Sequence, residues 1–218
     1  MGVRYPQLPP FVWQTNRFWI GLSGAIGSGK SAARQDFQAN GCFVLDADQI
    51  AHQVLNSSAL RPGLLELCGP AIVADDHSIR RDVIAASVFS DPAKLARLNQ
   101  LVHPAVQKQV ASRWSLQPAG TIGVYDVPLL FENGMQDQFD LTVVIHAARS
   151  LRMGRVQARS GWSESEFEAR ERRQIPIEQK IVLADLVIDN EAARSDLQLA
   201  IQTVCKCIRA ATPRITFS

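Results

Sequence analysis

Apolar positions follow two rhythms along this chain. Short continuous runs recur at Phe18-Trp19-Ile20-Gly21-Leu22-Ser23, Cys42-Phe43-Val44-Leu45, Thr121-Ile122-Gly123-Val124-Tyr125-Asp126, Leu141-Thr142-Val143-Val144-Ile145 and Asp185-Leu186-Val187-Ile188. Runs this short with no alternation read as strands buried on both faces. Between them the spacing becomes helical. Ala33 and Phe37 share a face, as do Ile50, Val54 and Leu55, then Leu95, Leu98 and Val102, then Val106 and Val110. A last stripe, Leu197, Ile201, Val204 and Ile208 at 4-3-4 spacing, reads as core. Strand, helix and strand in succession imply parallel pairing with right-handed crossovers. The expected class is therefore α/β.

Punctuation sharpens the boundaries. Asn40-Gly41 is a helix stop, and Asp91-Pro92 is an N-cap followed by proline at the first helical position. Ser163 and Glu166 form a capping box. His103-Pro104 predicts the end of one helix and the start of the next, because the residue before proline avoids the α region. Residues 47 to about 117 read as helices with short breaks. They separate the second and third strands by roughly 75 residues, far more than a crossover needs.

Composition adds mainly exclusions. The chain has 218 residues, 46% apolar and 20% charged, with a net charge of +2. That is ordinary for a globular protein and gives no electrostatic reason to expect nucleic acid. No apolar run approaches the ~20 residues of a membrane span, so no membrane partner is expected. Residues 1–17 are broken by Pro6, Pro9 and Pro10, carry no signal-peptide pattern, and read as an extension whose Phe11, Val12 and Trp13 rest on the body. Cys42, Cys68, Cys205 and Cys207 lack zinc spacing and read as reduced thiols of a cytoplasmic protein.

The candidate chemistry begins just after the first strand. Gly24-Ala25-Ile26-Gly27-Ser28-Gly29-Lys30-Ser31 spells G-x-x-x-x-G-K-S, a Walker A phosphate loop set between a strand and a helix. Glycines let the backbone take positive φ and approach a polyphosphate without a Cβ. The converging N–H groups and the helix N-terminus then attract the anion. Lys30 supplies a charge for the β- and γ-phosphates, and the Ser31 hydroxyl is a hard oxygen ligand for Mg²⁺.

Carboxylates are aimed at the same edge. The second strand ends in Asp46-Ala47-Asp48, and ligands of open parallel sheets sit at the carboxyl ends of strands. For either aspartate alone, capping the helix that starts near Gln49 competes evenly with chemistry; for both together capping is the poorer reading, because a single helix needs one cap. The third strand ends in Asp126, a Walker B pattern that suits Mg²⁺ directly or through water. Arg149, Arg152, Arg155, Arg159, Arg170, Arg172 and Arg173 crowd the helices between strands four and five. A single arginine there reads as surface charge, but Arg155 and Arg159, four apart, suit a lid that brings cations to a bound nucleotide. His103 reads as either catalytic or a helix boundary.

Further segments carry a family resemblance. They are Gly21-Leu22-Ser23-Gly24, Leu45-Asp46-Ala47-Asp48 with Ile50-Ala51, Arg81 before Val88-Phe89, and Leu101-Val102-His103-Pro104. Val127-Pro128-Leu129-Leu130-Phe131-Glu132, Gln174 and Ala184-Asp185-Leu186-Val187-Ile188-Asp189-Asn190 complete the set. In this order the chain resembles the dephospho-CoA kinases. The resemblance implies a P-loop kinase fold over residues 18–218, with a five-stranded parallel sheet core flanked by helices. It carries a helical acceptor (CoA) subdomain at about 47–117 and an arginine-rich lid at about 149–175, and it implies transfer of the γ-phosphoryl group of ATP to the ribose 3′-hydroxyl of dephospho-CoA. It implies that Asp48 is the base and that Lys30 and Arg155 act in catalysis. Residues Gly24 to Ser31 with Ala32 and Asn190 would hold ATP, and Asp48, Arg81, His103 and Arg159 the acceptor. A monomer is expected.

Three positions depart from the family. Ala32 stands where a threonine is usual, Ala25 where a glycine is usual, and Arg152 where a glutamine opens the lid helix. Another P-loop kinase acting on a nucleotide or a sugar would fit the loop and the arginines equally. A GTPase switch would need an N-K-x-D motif, which the chain lacks.

Overall fold

A computed structural model describes residues 3–4, 15–89 and 91–211. The expected packing of Phe11, Val12 and Trp13 lies outside the described residues. Contacts divide the chain into two compact units, Met1–Leu45 with Pro118–Ser218, and Asp46–Gln117.

The first unit is built on a sheet. Its strands are β1 (Val3–Arg4), β2 (Phe18–Gly24), β3 (Phe43–Asp46), β4 (Ile122–Asp126), β5 (Leu141–His146) and β6 (Leu186–Asp189), in the order β1-β6-β5-β2-β4-β3. Five of them form the parallel sheet that the family resemblance implies. β2 lies inside it, pairing Ile20 with Val124 of β4 and Leu22 with Val143 of β5. The sixth strand is an addition to the expectation. Val3 and Arg4 pair antiparallel with Ile188 and Val187, and two residues are too short a run to show any pattern.

Helices α1 (Lys30–Ala39) and α9 (Arg194–Ala210) cover the sheet. Phe18, Ile20, Leu22, Val124, Val143, Ile145 and Ile188 pack with Phe37 of α1. The 4-3-4 stripe of α9 joins them, with Leu197, Ile201, Val204 and Ile208 at most 2% exposed. Arg194 grips Asp36 with two 2.5 Å hydrogen bonds and so ties α9 to α1. The sulfurs of Cys42 and Cys205 touch at 3.6 Å inside this core, and their hydrogen bond, with burial, pushes the Cys42 thiol up so that it stays protonated. The remaining helices of this unit are α6 (Arg149–Ser160), α7 (Glu164–Glu171), opened by the Ser163–Glu166 capping box, and α8 (Ile177–Leu183).

The second unit is helical, with α2 (Ala47–Leu55), α3 (Arg61–Cys68), α4 (Arg81–Phe89) and α5 (Pro92–Ser115). Leu64, Ile72, Ile79 and Ile84 form its core. Asp91 caps α5 by accepting from the Lys94 N–H at 3.0 Å. The expected break at His103-Pro104 is absent, because α5 runs straight through Pro104. Proline removes one N–H, which orphans the carbonyl of Gln100 four residues earlier. Gln100, His103 and Pro104 are all exposed, so solvent can serve that carbonyl and the helix survives.

Candidate active site

The phosphate loop leaves the end of β2 and enters α1. Gly27 has φ 79 and Gly29 has φ 94, left-handed values that glycine adopts without strain. The Ser28 N–H closes the loop onto the Ala25 carbonyl at 3.0 Å. Gly29, Lys30 and Ser31 stand at the start of α1, where N–H groups lack partners inside the helix and the dipole is positive.

Side chains from several elements hold this loop. Asn190, just after β6, donates Nδ2 to the Ser28 carbonyl at 2.8 Å. Arg155 of α6 donates to the same carbonyl at 3.4 Å and to the Asn190 carbonyl at 2.8 Å. Arg152, expected at the surface, is only 3% exposed. It donates Nη1 to the Ile26 carbonyl at 3.2 Å and Nε to the Ala147 carbonyl at 3.0 Å, and it pairs with Glu171 at 2.6 Å. The Ile26 N–H donates to Oε1 of Gln174 at 3.2 Å. A cleft of about 530 Å³ runs against the loop at Ala25, lined also by His146, Arg149, Arg152, Gln174 and Pro176.

Gly27 is boxed in. A Cβ added there would lie 2.5 Å from the backbone oxygen of Arg152 and 3.0 Å from its carbonyl carbon. Neither atom belongs to a flexible side chain, so the loop itself would have to move. Gly27→Ala is expected to weaken ATP binding by at least about tenfold, from strain at positive φ together with the displaced loop. Equilibrium titration with ATP checks this, and an unchanged dissociation constant would refute it.

The charged residues of the strand ends pair with one another. Lys30 Nζ contacts Asp126 Oδ1, while Arg34 reaches Asp126 Oδ2 at 3.2 Å. Asp126 is only 2% exposed, so these cations offset its burial. His146 Nδ1 lies 2.7 Å from Asp189 Oδ1 at the adjacent ends of β5 and β6. After β4 the segment bearing Glu132 turns back, and Glu132 Oε1 accepts from Lys180 Nζ at 2.8 Å and from the Ile175 N–H at 3.0 Å. Lys180 is fully buried and also donates to the Pro128 carbonyl at 3.3 Å. Burial, more than the charge of Lys30, holds its pKa below the usual lysine value, against the pull of Glu132.

The loop, Asp126, Arg155 and Asn190 thus come together. Arg159 does not join them; it is exposed, and among the described residues its Nε contacts the Ser160 hydroxyl at 3.4 Å. In the helical unit, Asp46 caps α2, its Oδ1 accepting from the N–H groups of Asp48 and Gln49 at 2.9 and 3.1 Å. Asp48 follows in the first turn of α2 and is exposed. Arg81 begins α4, and His103 lies midway along α5, both exposed. Reading the sequence gave Arg152 no structural task, placed Glu171 on a solvated face, and missed Lys180 and Arg34 altogether. Gln174 and Glu132 stood out only as family matches without a role.

A family model described as dephospho-CoA kinase matches residues 18–196. The chain belongs to the dephospho-CoA kinase family. It is 37% identical to the dephospho-CoA kinase of Thermobifida fusca over 85% of this chain and 93% of that protein. It is 35% identical to the dephospho-CoA kinase of Corynebacterium glutamicum over 85% of this chain and 96% of the relative. A crystal structure from Thermus thermophilus superposes with a TM-score of 0.77 at 34% identity, covering 88% of this chain and 98% of that one. The dephospho-CoA kinase of Campylobacter jejuni shares the fold at a TM-score of 0.63 and 22% identity, covering 89% and 98%.

Proposed function

We infer that this protein transfers the γ-phosphoryl group of ATP to the ribose 3′-hydroxyl of dephospho-CoA, giving coenzyme A and ADP. The observation that carries this reading is the family match over residues 18–196, which contains the intact phosphate loop.

The residues have distinct tasks in the proposed reaction. Backbone N–H groups of Gly27, Gly29, Lys30 and Ser31 face the β- and γ-phosphates, with Lys30 moving from Asp126 to the phosphate oxygens. Arg155, already against the loop at Ser28, supplies charge where the transferring group becomes more negative. Asn190 is a proposed contact to the nucleotide, and Asp48 accepts the proton of the attacking hydroxyl. Arg81, His103 and Arg159 are the proposed contacts to the acceptor.

The donors present suit Mg²⁺. Among the described residues no group of three or more His, Cys, Asp or Glu could cage a metal. An ion held chiefly by phosphate and water would need only one or two hard protein oxygens. Ser31 Oγ and the Asp126 carboxylate would be those oxygens. A bound ion would neutralise charge on the β- and γ-oxygens during transfer. Among the described residues no helix is long and apolar enough to cross a membrane. Action as a cytoplasmic monomer is part of the proposal.

The test is ADP release from ATP and Mg²⁺ in the presence of dephospho-CoA, compared with nucleoside monophosphates and gluconate. Turnover should depend on dephospho-CoA, and coenzyme A should appear in equal amount to ADP. Turnover with gluconate or a nucleoside monophosphate instead would overturn the reading.

A further inference from the structure

Peptide geometry connects the side chains around the loop to its function. In a planar trans peptide, the C=O of one residue and the N–H of the next point in opposite directions. Whatever holds a loop carbonyl outward therefore aims the following N–H inward. The Ser28 carbonyl is held by Asn190 and Arg155, which sets the Gly29 N–H. The Ile26 carbonyl is held by Arg152, which sets the Gly27 N–H. The peptide before it is held at both ends, by Ser28 on the Ala25 carbonyl and by Gln174 on the Ile26 N–H.

Ala25 lines a cleft of about 530 Å³, and beside it the hydrogen bonds of Arg152 and Gln174 tie the Ile26 carbonyl and N–H. Arg152 is itself immobilised by Ala147 and Glu171. Gln174 precedes Ile175, whose N–H is bound to the Glu132 carboxylate at 3.0 Å, so its backbone is anchored too. Both ties come from one stretch of chain, since Glu171 ends α7 and Gln174 lies three residues beyond.

We propose that Gln174, acting with Arg152, is a positioning residue for ATP: it presets the Ala25–Ile26–Gly27 peptide planes so that the loop meets the polyphosphate already formed. It does not touch the phosphates, and it acts through the backbone of Ile26. This proposal rests on the inferred kinase reaction for the identity of the nucleotide, but its test reads ATP binding directly.

Gln174→Leu keeps much of the side-chain volume and removes the acceptor. ATP affinity measured by calorimetry should fall about tenfold, the scale of one well-placed hydrogen bond. The KM for dephospho-CoA should stay within about twofold and the thermal midpoint within a few degrees. Gln174→Asn, polar but one methylene too short to reach Ile26, should weaken ATP binding in the same direction, so the result does not depend on leucine being tolerated. A merely structural role would instead lower the melting temperature and weaken both substrates together, which would overturn the proposal. ATP affinity unchanged in both variants would overturn it as well. If the wild-type protein binds ATP but turns over no dephospho-CoA, the kinase reading fails while the binding comparison still decides the role of Gln174.

Discussion

Lys180→Met is expected to lower the stability of the sheet-bearing unit by about 3–5 kcal/mol, the usual consequence of stripping one partner from a buried ion pair. Lys180 is fully buried, and its ammonium contacts Glu132 at 2.8 Å and the Pro128 carbonyl at 3.3 Å. Methionine fills the space of the stem and leaves the Glu132 carboxylate, 12% exposed, without its cation. Glu132 Oε2 already lacks a hydrogen-bond partner, so the loss falls on a group with little in reserve. The double variant Lys180→Met with Glu132→Gln removes the stranded charge and should recover a large part of the loss, because a matched neutral pair can be nearly as stable as the ions. Urea unfolding checks both, as a lower midpoint at unchanged slope for the single variant and a partial return for the double. An unchanged midpoint in Lys180→Met would mean that solvent reaches Glu132.

What could be read from the sequence divides along physical lines. The apolar runs at Phe18, Thr121, Leu141 and Asp185 became strands because strands buried on both faces leave continuous hydrophobic signatures. The α9 stripe, the Asp91 cap and the Ser163–Glu166 box were legible because each depends on residues a few positions apart. The misses depend on partners far along the chain or on solvent. Pro104 sits inside a helix because its neighbourhood is exposed, which no dipeptide rule records. Arg152 and Lys180 look like surface cations, and their burial follows from acceptors up to 126 residues away, at Ile26, Glu132 and Glu171. In the candidate site, the loop and Asp126 announce themselves by motif, but the residues bracing the loop do not. Bracing is done through backbone atoms, which any residue supplies.

Asp48→Asn is expected to cut kcat by about 10²–10⁴, the range of a lost general base, while the KM for ATP stays within a few-fold. The two aspartates that end and follow β3 have divided their work. Asp46 is committed to structure, since its Oδ1 accepts from the N–H groups of Asp48 and Gln49. One cap is all a helix start needs, so the exposed carboxylate of Asp48 has no capping task. Its only structural contribution is its charge in the first turn of α2, worth about 0.3–1 kcal/mol through the helix dipole. Asparagine there should leave folding nearly intact while removing the proton acceptor. Asp46→Asn provides the contrast, because asparagine caps as well as aspartate and activity should fall only a few-fold. Steady-state kinetics of both variants with ATP and dephospho-CoA separates the roles. Full activity in Asp48→Asn, or an equal collapse in Asp46→Asn, would move the base away from Asp48. The expected split would mean that the helix cap and the proton acceptor are separate carboxylates, so that the acceptor can reach the ribose hydroxyl without loosening the helix that carries it.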